Sequence, residues 1–498
     1  MLEITGHRQA SPGVPESAPL RGLLVGGGQA GRAMAQSLRR VPDYGIVPIG
    51  FLDDDQGKRQ VAGLPVLGRI SDLAKVAAKY RADAALVTIP SLPRQRIDEI
   101  AAMALSVGLT VRYLPSFVSA LERDARLTDL RSVRVDSLLG RDEVHVVRPS
   151  SRTVVAGRRV LVTGAGGSIG SELCRQIDRF GPAALYMVDH DESNLHRLQL
   201  DLTGQGLLDT DDLIIADIRD RGRVRQLLSD LRPDVVFHAA AHKHLPLLER
   251  HPCEGVKSNV AGTENVVAAA VDTGVERFIL ISTDKAADPS SVLGATKRLA
   301  ETVVRSYAGR GTRMASVRFG NVLGSRGSLL SVLRAQIESG NEITITHPDV
   351  TRFFMTIEEA VGLVVEAAAM ADEGEVFVLD MGKPVRIVDL VHNFADQLHL
   401  HTGDLVIRFT GLRPGEKLDE ALVSDDEQRE LTAHPKIWRS RASFDAPLDL
   451  GEQLQELYLA SEANDTPGVR HLLGRLVPGY RPTPGHPAAA AAPYPDDW

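Results

Sequence analysis

Cysteine is nearly missing from this sequence: Cys174 and Cys253 are the only two in 498 residues. Two thiols cannot build a disulfide framework or a multi-cysteine metal site, so no metal is expected, and both read as small buried apolar side chains in a reducing compartment. No run of about 18 apolar residues, the length a bilayer-spanning helix needs, occurs anywhere. The first residues, MLEITGHRQASPGVPESAPLRG, have neither a basic n-region nor an apolar h-region. A cytoplasmic protein with no integral membrane segment is therefore expected. No Lys/Arg-rich block is present and the formal charge is −8, which leaves nothing to attract a phosphate backbone and excludes nucleic acid as a partner. Aromatics are scarce at 4%, but 43% hydrophobic and 24% charged residues are ordinary globular usage, so most of the chain should fold.

The length predicts two to four domains. Residues 1–19 and 481–498 (the latter ending PTPGHPAAAAAPYPDDW) lack periodicity and are expected to be disordered. Between them the chain opens twice with a strand, a glycine turn and a helix, once near Leu23 and again near Val160. In the first unit, residues 20–135, short apolar strands (GLLVGGG, IVPIGFLDDD, ADAALVTIP, TVRYLP) alternate with helical stretches near 29–40 and 71–80. Residues 136–156 lose that pattern and read as a linker. The second unit, 157–480, restarts with RRVLVTGAGGSIGSEL and continues through ALYMVDHD, DLIIADI, PDVVFHAAA, RFILIST and MASVRFGNV, strands apolar on both faces. The fold class predicted is α/β, with two doubly wound parallel-sheet Rossmann-like domains. A smaller C-terminal substrate lobe belongs to the second, mainly after residue 325, where the spacing becomes irregular.

In TGAGGSIG each glycine has a physical task. Gly164 turns the chain, Gly167 lets a pyrophosphate approach the backbone, and Gly170 lets helix and strand pack closely. Ser168 and Ile169 begin the helix, whose free N–H groups and partial positive charge face a diphosphate. Asp189, at the end of the next strand, can accept from adenosine-ribose hydroxyls and would repel a 2′-phosphate. NAD is thereby favoured over NADP, although Arg175 or Arg197 could weaken the preference. Asp217 is a candidate adenine contact or, equally, a loop cap. Ile218, Ala239 and Ala240 are expected to complete the cofactor groove. The first turn, GGGQAG, repeats the spacing through Gly26, Gly28 and Gly31 with Asp53 in the acidic position, but no catalytic constellation accompanies it. That unit could bind a nucleotide, regulate, be vestigial or act as a scaffold.

The segment ISTDKAADPSSVLGATKRLAE runs from a buried strand through a polar turn into a helix, which puts Thr283, Asp284 and Lys285 at the strand's carboxyl end and Lys297 on the helix. Such a lysine can hold nicotinamide-ribose hydroxyls and shift a neighbour's pKa.

TGAGGSIGSEL, AAAHKHLPLLE, SNVAGTENV, STDKA, GATKRLAE, RFGNVLGSRGS, THPDVTRFFMT and LRPGEKLDE together resemble the nucleotide-sugar 4,6-dehydratases of bacterial polysaccharide biosynthesis, the CapD-like group of extended short-chain dehydrogenases. The resemblance covers nearly the whole chain between its ends, including the N-terminal unit found in that group's large members. Those members begin with transmembrane helices and this sequence shows no apolar run of that length, so membrane attachment is not expected to carry over to this chain. Short-chain dehydrogenases generally carry Tyr four residues before the active-site Lys, whereas Leu293 stands there in this sequence, as an apolar residue does in the large dehydratases. The resemblance implies a lyase that holds NAD tightly and dehydrates a nucleotide sugar to its 4-keto-6-deoxy form, with UDP-N-acetylglucosamine as the family's usual substrate and self-association into a homo-oligomer as the common state. Asp284 would then protonate the leaving O6, and a neutral Lys285 would take the C5 proton, its pKa depressed by burial and by Lys297. Thr283 would hydrogen-bond the sugar O4, and the group that accepts the O4 proton is left open by Leu293. Arg352 and Arg413 are candidates for the diphosphate, or else surface salt bridges; Asn321 and Glu416 for base and ribose; Lys243 for further substrate contact. A C4-epimerase, which would want a tyrosine at 293, and a catalytically inactive NAD-binding regulator are the alternatives.

Overall fold

The computed structural model describes residues 20–40, 46–113, 131–132 and 147–480, apart from 56, 90–91, 93, 106, 108, 205, most of 324–341, 398–405 and most of 443–448. The ends expected to be disordered, the first part of the expected linker and the tail of RFGNVLGSRGS lie outside these residues. The chain divides into two compact units, Met1–Ser137 and Leu138–Trp498.

The first unit contains strands β1 (Leu20–Val25), β2 (Ile46–Leu52), β3 (Gln60–Val61), β4 (Leu64–Gly68), β5 (Ala84–Val87), β6 (Thr110–Tyr113) and β7 (Arg131–Ser132). They pair in the order β3-β4-β2-β1-β5-β6-β7. The five central strands are parallel, and the two short outer ones pair antiparallel. Helices Gln29–Arg40 and Leu73–Tyr80 fall where the apolar spacing predicts them. Leu23, Val25, Leu52, Leu73, Ala85 and Ile100 meet in its core.

The second unit's main sheet has the order β10-β9-β8-β11-β12-β13-β18-β22-β21. Its strands are β8 (Arg159–Thr163), β9 (Ala184–Asp189), β10 (Leu213–Ile215), β11 (Val235–His238), β12 (Arg277–Ile281), β13 (Arg313–Arg318), β18 (Glu373–Leu379), β21 (Glu427–Leu431) and β22 (Ile437–Ala442). The first seven in that order are parallel, and the central ones, such as β8, β11 and β12, are buried on both faces as their apolar runs predict, while Ile215 on the edge strand β10 is exposed. The sheet is nevertheless mixed at one edge, because β21 and β22 are joined by a short hairpin and pair antiparallel. A connection that short cannot return the chain to a parallel register. The order reverses between β8 and β11, and in open α/β sheets the crevice at the carboxyl ends of such a pair is where ligands bind.

Two expectations need correction. Residues 147–156 are not linker: Val147, Val154 and Val155 are buried in the second unit's core, and the short helix Pro149–Arg152 is fixed by Ser151, whose Oγ donates to Glu366 at 2.7 Å. Apolar side chains spaced along that stretch find a surface on helix Ile357–Met370, which a solvated linker would not. Nor is the chain after 325 mostly a lobe. Helix Ile357–Met370 covers the sheet, β18, β21 and β22 extend it, and helices Leu450–Glu462 and Thr466–Leu476 pack Leu454, Leu457, Val469 and Leu473 into the core on its other face. Among the described residues, what remains apart is the helix Ile387–Gln397 and three two-stranded pairs: β14 (Asn321–Leu323) with β17 (Phe354–Thr356), β15 (Ile343–Ile345) with β20 (Ile407–Phe409), and β16 (Thr351–Arg352) with β19 (Val385–Arg386).

Among the described residues no helix is long and apolar enough to cross a membrane.

Candidate active site

The groove at the switch point is shaped by missing side chains. Gly164 has φ +65°, and a Cβ on it would stand 2.6 Å from the Ala240 nitrogen. A Cβ on Gly170 would stand 2.0 Å from the Gly164 carbonyl oxygen, so the helix Ser168–Arg179 can start this close to the strand only with glycine there. Asp189 is buried; its Oδ2 accepts from Gly166 N at 2.9 Å and its Oδ1 from Asp191 N at 3.0 Å, which pins the acidic residue beside the turn. Gly164, Gly167, Asp189, Asp217, Ile218, Ala239 and Ala240 all line this groove, and Arg219 and His242 join them. The cradle and the carboxylate at its end fit a dinucleotide.

Asp217 is not free to read an adenine alone, since Arg219 Nη2 and Nε donate to its Oδ2 at 2.6 and 2.8 Å. Burial pushes its carboxyl up, but the bonds and charge of Arg219 outweigh that and hold it below the usual range. Lys297 is buried on helix Val292–Ser306 and donates to the Ile281 carbonyl at 2.7 Å; burial pushes its ammonium down to about 8.

Gly170→Ala is the sharpest probe of the cradle. A methyl group driven into a carbonyl costs about 1–3 kcal/mol or more, and the helix start must move out of register with the pyrophosphate position. The variant should melt earlier than wild type and gain no further stability from added NAD⁺ in a thermal-shift assay. A wild-type melting profile would show that the turn can relax.

The first unit repeats this geometry. Gly26 has φ +102°, a Cβ on Gly31 would stand 2.0 Å from the Gly26 oxygen, and Gly27 N donates to Asp53 Oδ2 at 2.6 Å. Here, however, Lys58 Nζ also binds Asp53 Oδ2, at 3.1 Å.

The cluster expected to be catalytic, Thr283, Asp284 and Lys285, lies on the turn after β12. Thr283 caps that turn, and its hydroxyl donates to Asp284 Oδ1 at 2.8 Å. The same oxygen accepts from Lys285 N at 2.9 Å and from Lys285 Nζ at 3.0 Å. Asp284 is 1% exposed, and its Oδ2 has no hydrogen-bond partner among the described residues. That orphaned oxygen faces Gly320, where a Cβ would come within 3.1 Å.

Lys285 overturns an expectation. Burial does push its ammonium down, but Asp284 and Glu420 outweigh burial and hold it above its ordinary value. The lysine that burial depresses is Lys297.

Asn321, expected at the nucleoside, brings its Oδ1 to 3.4 Å from Lys285 Nζ, and its N donates to the Phe353 carbonyl beside the turn. Arg352 is buried, its guanidinium donating to the Thr351 and Leu418 carbonyls and pairing with Glu416 at 3.1 Å. Glu416 also accepts from Thr346 Oγ1 and from Arg413 N, so it braces the loop that carries Arg413, whose side chain is exposed. Lys243 is exposed beyond β11. Leu293 is buried in the apolar core and carries no group that could transfer a proton.

Three residues at the site went unread in the sequence. Glu420 lies 3.9 Å from Lys285 Nζ. Asn259 is fully buried and binds the His242 backbone through both ends of its amide, with Nδ2 also donating to Thr296 Oγ1 at 3.1 Å. His238 bridges Thr163 and Thr263 and is pushed down to about 3 by burial and the Lys297 charge. A polar residue inside an otherwise apolar strand or helix, as in VVFH and SNVAG, was the available signal for the last two.

A family model described as polysaccharide biosynthesis protein matches residues 160–442, and one described as CoA-binding domain matches residues 19–115. The chain belongs to the polysaccharide biosynthesis protein family. Within it, the capsular polysaccharide biosynthesis protein CapD of Staphylococcus aureus is 40% identical over 425 residues, which is 84% of this chain and 71% of that protein. The UDP-N-acetylglucosamine 4,6-dehydratase (inverting) of Campylobacter jejuni is 32% identical over 277 residues, 54% of this chain and 79% of that protein. A UDP-glucose 4-epimerase of Rickettsia rickettsii is also 32% identical, over 278 residues, again 54% of this chain and 79% of that protein. Overall identity therefore does not separate the dehydratase from the epimerase among these relatives.

Proposed function

We propose that the second unit is an NAD-dependent nucleotide-sugar 4,6-dehydratase acting on UDP-N-acetylglucosamine. The observation that carries this reading is the Thr283–Asp284–Lys285 cluster, in which a buried carboxyl oxygen without a partner stands beside an amine, while the place of a tyrosine is taken by the buried Leu293. An epimerase needs only to move a hydride and the O4 proton; a dehydratase also needs an acid for O6 and a base for C5, and an acid and a base are what this cluster adds.

A nicotinamide in the groove would supply the hydride acceptor for C4 and the donor for C6. The chain's own groups account for the protons. The Thr283 hydroxyl, bonded to Asp284 Oδ1, can pass the O4 proton to that carboxylate. Asp284 then gives a proton to O6, which leaves as water, and Lys285 removes H5. One carboxyl group thus collects the proton released at O4 and spends it at O6, so no tyrosine is required.

Incubating the protein with UDP-N-acetylglucosamine and following the sugar by NMR tests the reading. Formation of a 4-keto-6-deoxy sugar supports it. Interconversion with the C4 epimer alone would favour the epimerase, and an unchanged sugar with NAD bound would favour a regulator.

The preference for NAD over NADP rests on Asp189, which leaves no room for a second anion beside the turn. Asp189→Ala should weaken NAD⁺ about 10- to 100-fold, the range for losing a hydrogen bond to a charged group, and penalise NADP⁺ less. Titration calorimetry with both dinucleotides measures this, and an unaltered ratio would mean that the ribose is read elsewhere.

A further inference from the structure

The turn after β12 faces one carboxylate more than an acid and a base require. Glu420, in the loop between β20 and β21, brings Oε1 to 3.9 Å from Lys285 Nζ, with its side chain 6% exposed. Among the described residues Lys285 is the only cation within 4.0 Å of it. Four charged groups act on this carboxyl: Lys285 and Asp284 from the turn, Arg352 from β16, and Lys417 from its own loop. Burial pushes it up, the three cations pull it down and Asp284 pushes it up again, leaving it above the usual carboxylate range.

This arrangement answers a difficulty that the acid–base assignment raises. A base at C5 must be a neutral amine, yet Lys285 is held as an ammonium. Asp284 cannot relieve it of the proton, because Asp284 is the acceptor for the proton coming from O4. We propose that Glu420 is the positioning residue that receives the Lys285 proton during the elimination and returns it afterwards. The inference rests on the dehydratase reading.

The protons balance. O4–H goes through Thr283 to Asp284, and Lys285–NH₃⁺ gives a proton to Glu420. The neutral Lys285 takes H5, the C6–O bond breaks as Asp284 protonates the departing oxygen, and water leaves. Hydride is restored at C6 and Lys285 returns a proton to C5. Glu420 then reprotonates Lys285, and both carboxylates are anionic again. The single proton lost from O4 is the one carried away in water.

The test is Glu420→Gln in the full chain with UDP-N-acetylglucosamine in D₂O. Near pH 7, kcat and deuterium entry at C5 should fall about 100-fold, in the range for losing a proton-transfer partner, with KM nearly unchanged. The deficit should shrink as pH rises, because hydroxide can take the Lys285 proton in place of Glu420, and Glu420→Asp should recover part of the rate. Independently of turnover, the NMR titration of the Lys285 ε-methylene, assigned by its loss in Lys285→Arg, should move to lower pH in Glu420→Gln.

A faster or unchanged Glu420→Gln enzyme would overturn the proposal, since it would mean that Glu420 merely holds Lys285 charged. Equal losses in Gln and Asp variants at every pH, or an unmoved Lys285 titration, would overturn it too. Wild-type protein that makes no 4-keto sugar would instead bring down the dehydratase reading beneath it.

Discussion

Replacing Asp284 by Asn should lower 4-keto sugar formation about 10²- to 10⁴-fold, the usual span for losing a general acid, while NAD⁺ stays bound. The amide keeps the shape of the carboxyl, and its oxygen can still accept from Thr283 and from the Lys285 backbone at the present 2.8 and 2.9 Å. What it cannot do is take the O4 proton or deliver one to O6. Lys285→Ala should suppress deuterium exchange at C5 just as severely. That variant also leaves Asp284 and Glu420 facing each other without the ammonium between them, so its rate should be followed across pH as well as near neutrality. Leu293→Ala is the control: it removes buried volume from the core, at a cost of about 2–5 kcal/mol in stability, yet takes no proton-carrying atom away. Wild-type dehydration by either polar variant would remove Asp284 or Lys285 from the acid–base roles. Complete loss in a folded, NAD-bound Leu293 variant would give its shape a part in the chemistry.

Much of the fold could be read from the sequence because it is written in local signals. Apolar runs of strand length that alternate with helical periods mark the parallel strands, two of them open with a glycine turn, and Asp189 follows the glycines at the distance a βαβ unit dictates. The turn Thr283–Lys285 was legible because strand and helix patterns flank it. What could not be read is pairing in space. Glu420 reaches Lys285 from a different element, and no periodicity links the two. In the sequence the balance on Lys285 could be judged only from burial and the charge of Lys297, both of which point down, whereas Asp284 and then Glu420 hold it above its ordinary value. The place of Asn321 beside Lys285 could not be read for a related reason: it depends on β14 pairing with β17, a contact between short strands with little pattern of their own. The antiparallel edge at β21 and β22 was hidden in the same way.

The turn that carries Thr283, Asp284 and Lys285 rests on a buried set of charges that should contribute strongly to the protein's stability. Arg318, at the end of β13, is 0% exposed and grips two carboxylates. Its Nε and Nη2 donate to Glu301 at 2.8 and 2.7 Å, and its Nη1 and Nη2 donate to Glu427 at 2.7 and 2.9 Å. Arg298 pairs with Glu427 as well, and the Ser282 hydroxyl donates to Glu301 at 2.6 Å, immediately before Thr283 in the chain. Two arginines thus balance two glutamates and tie the end of β12 to the helix of Lys297. Arg318→Met would leave both glutamates buried with one cation between them, and breaking such a pair from one side costs about 3–5 kcal/mol. Lysine should not rescue it, because an ammonium cannot bond both carboxylates in a planar fork. Acid should act on the same cluster. Burial pushes the Glu427 carboxyl up, but Arg318 and Arg298 outweigh it and bring it down to about 2 from 4.5. Since the folded value lies below the unfolded one, this stabilisation, about 3 kcal/mol, is complete above the unfolded value and is lost as pH falls from there toward 2. Urea unfolding should therefore show wild type weakening steeply through that acid window, and Arg318→Met weaker at neutral pH with a flatter acid limb. Equal unfolding midpoints near pH 7 would mean that the two glutamates find other partners, and that Ser282 and the turn behind it are held by packing alone.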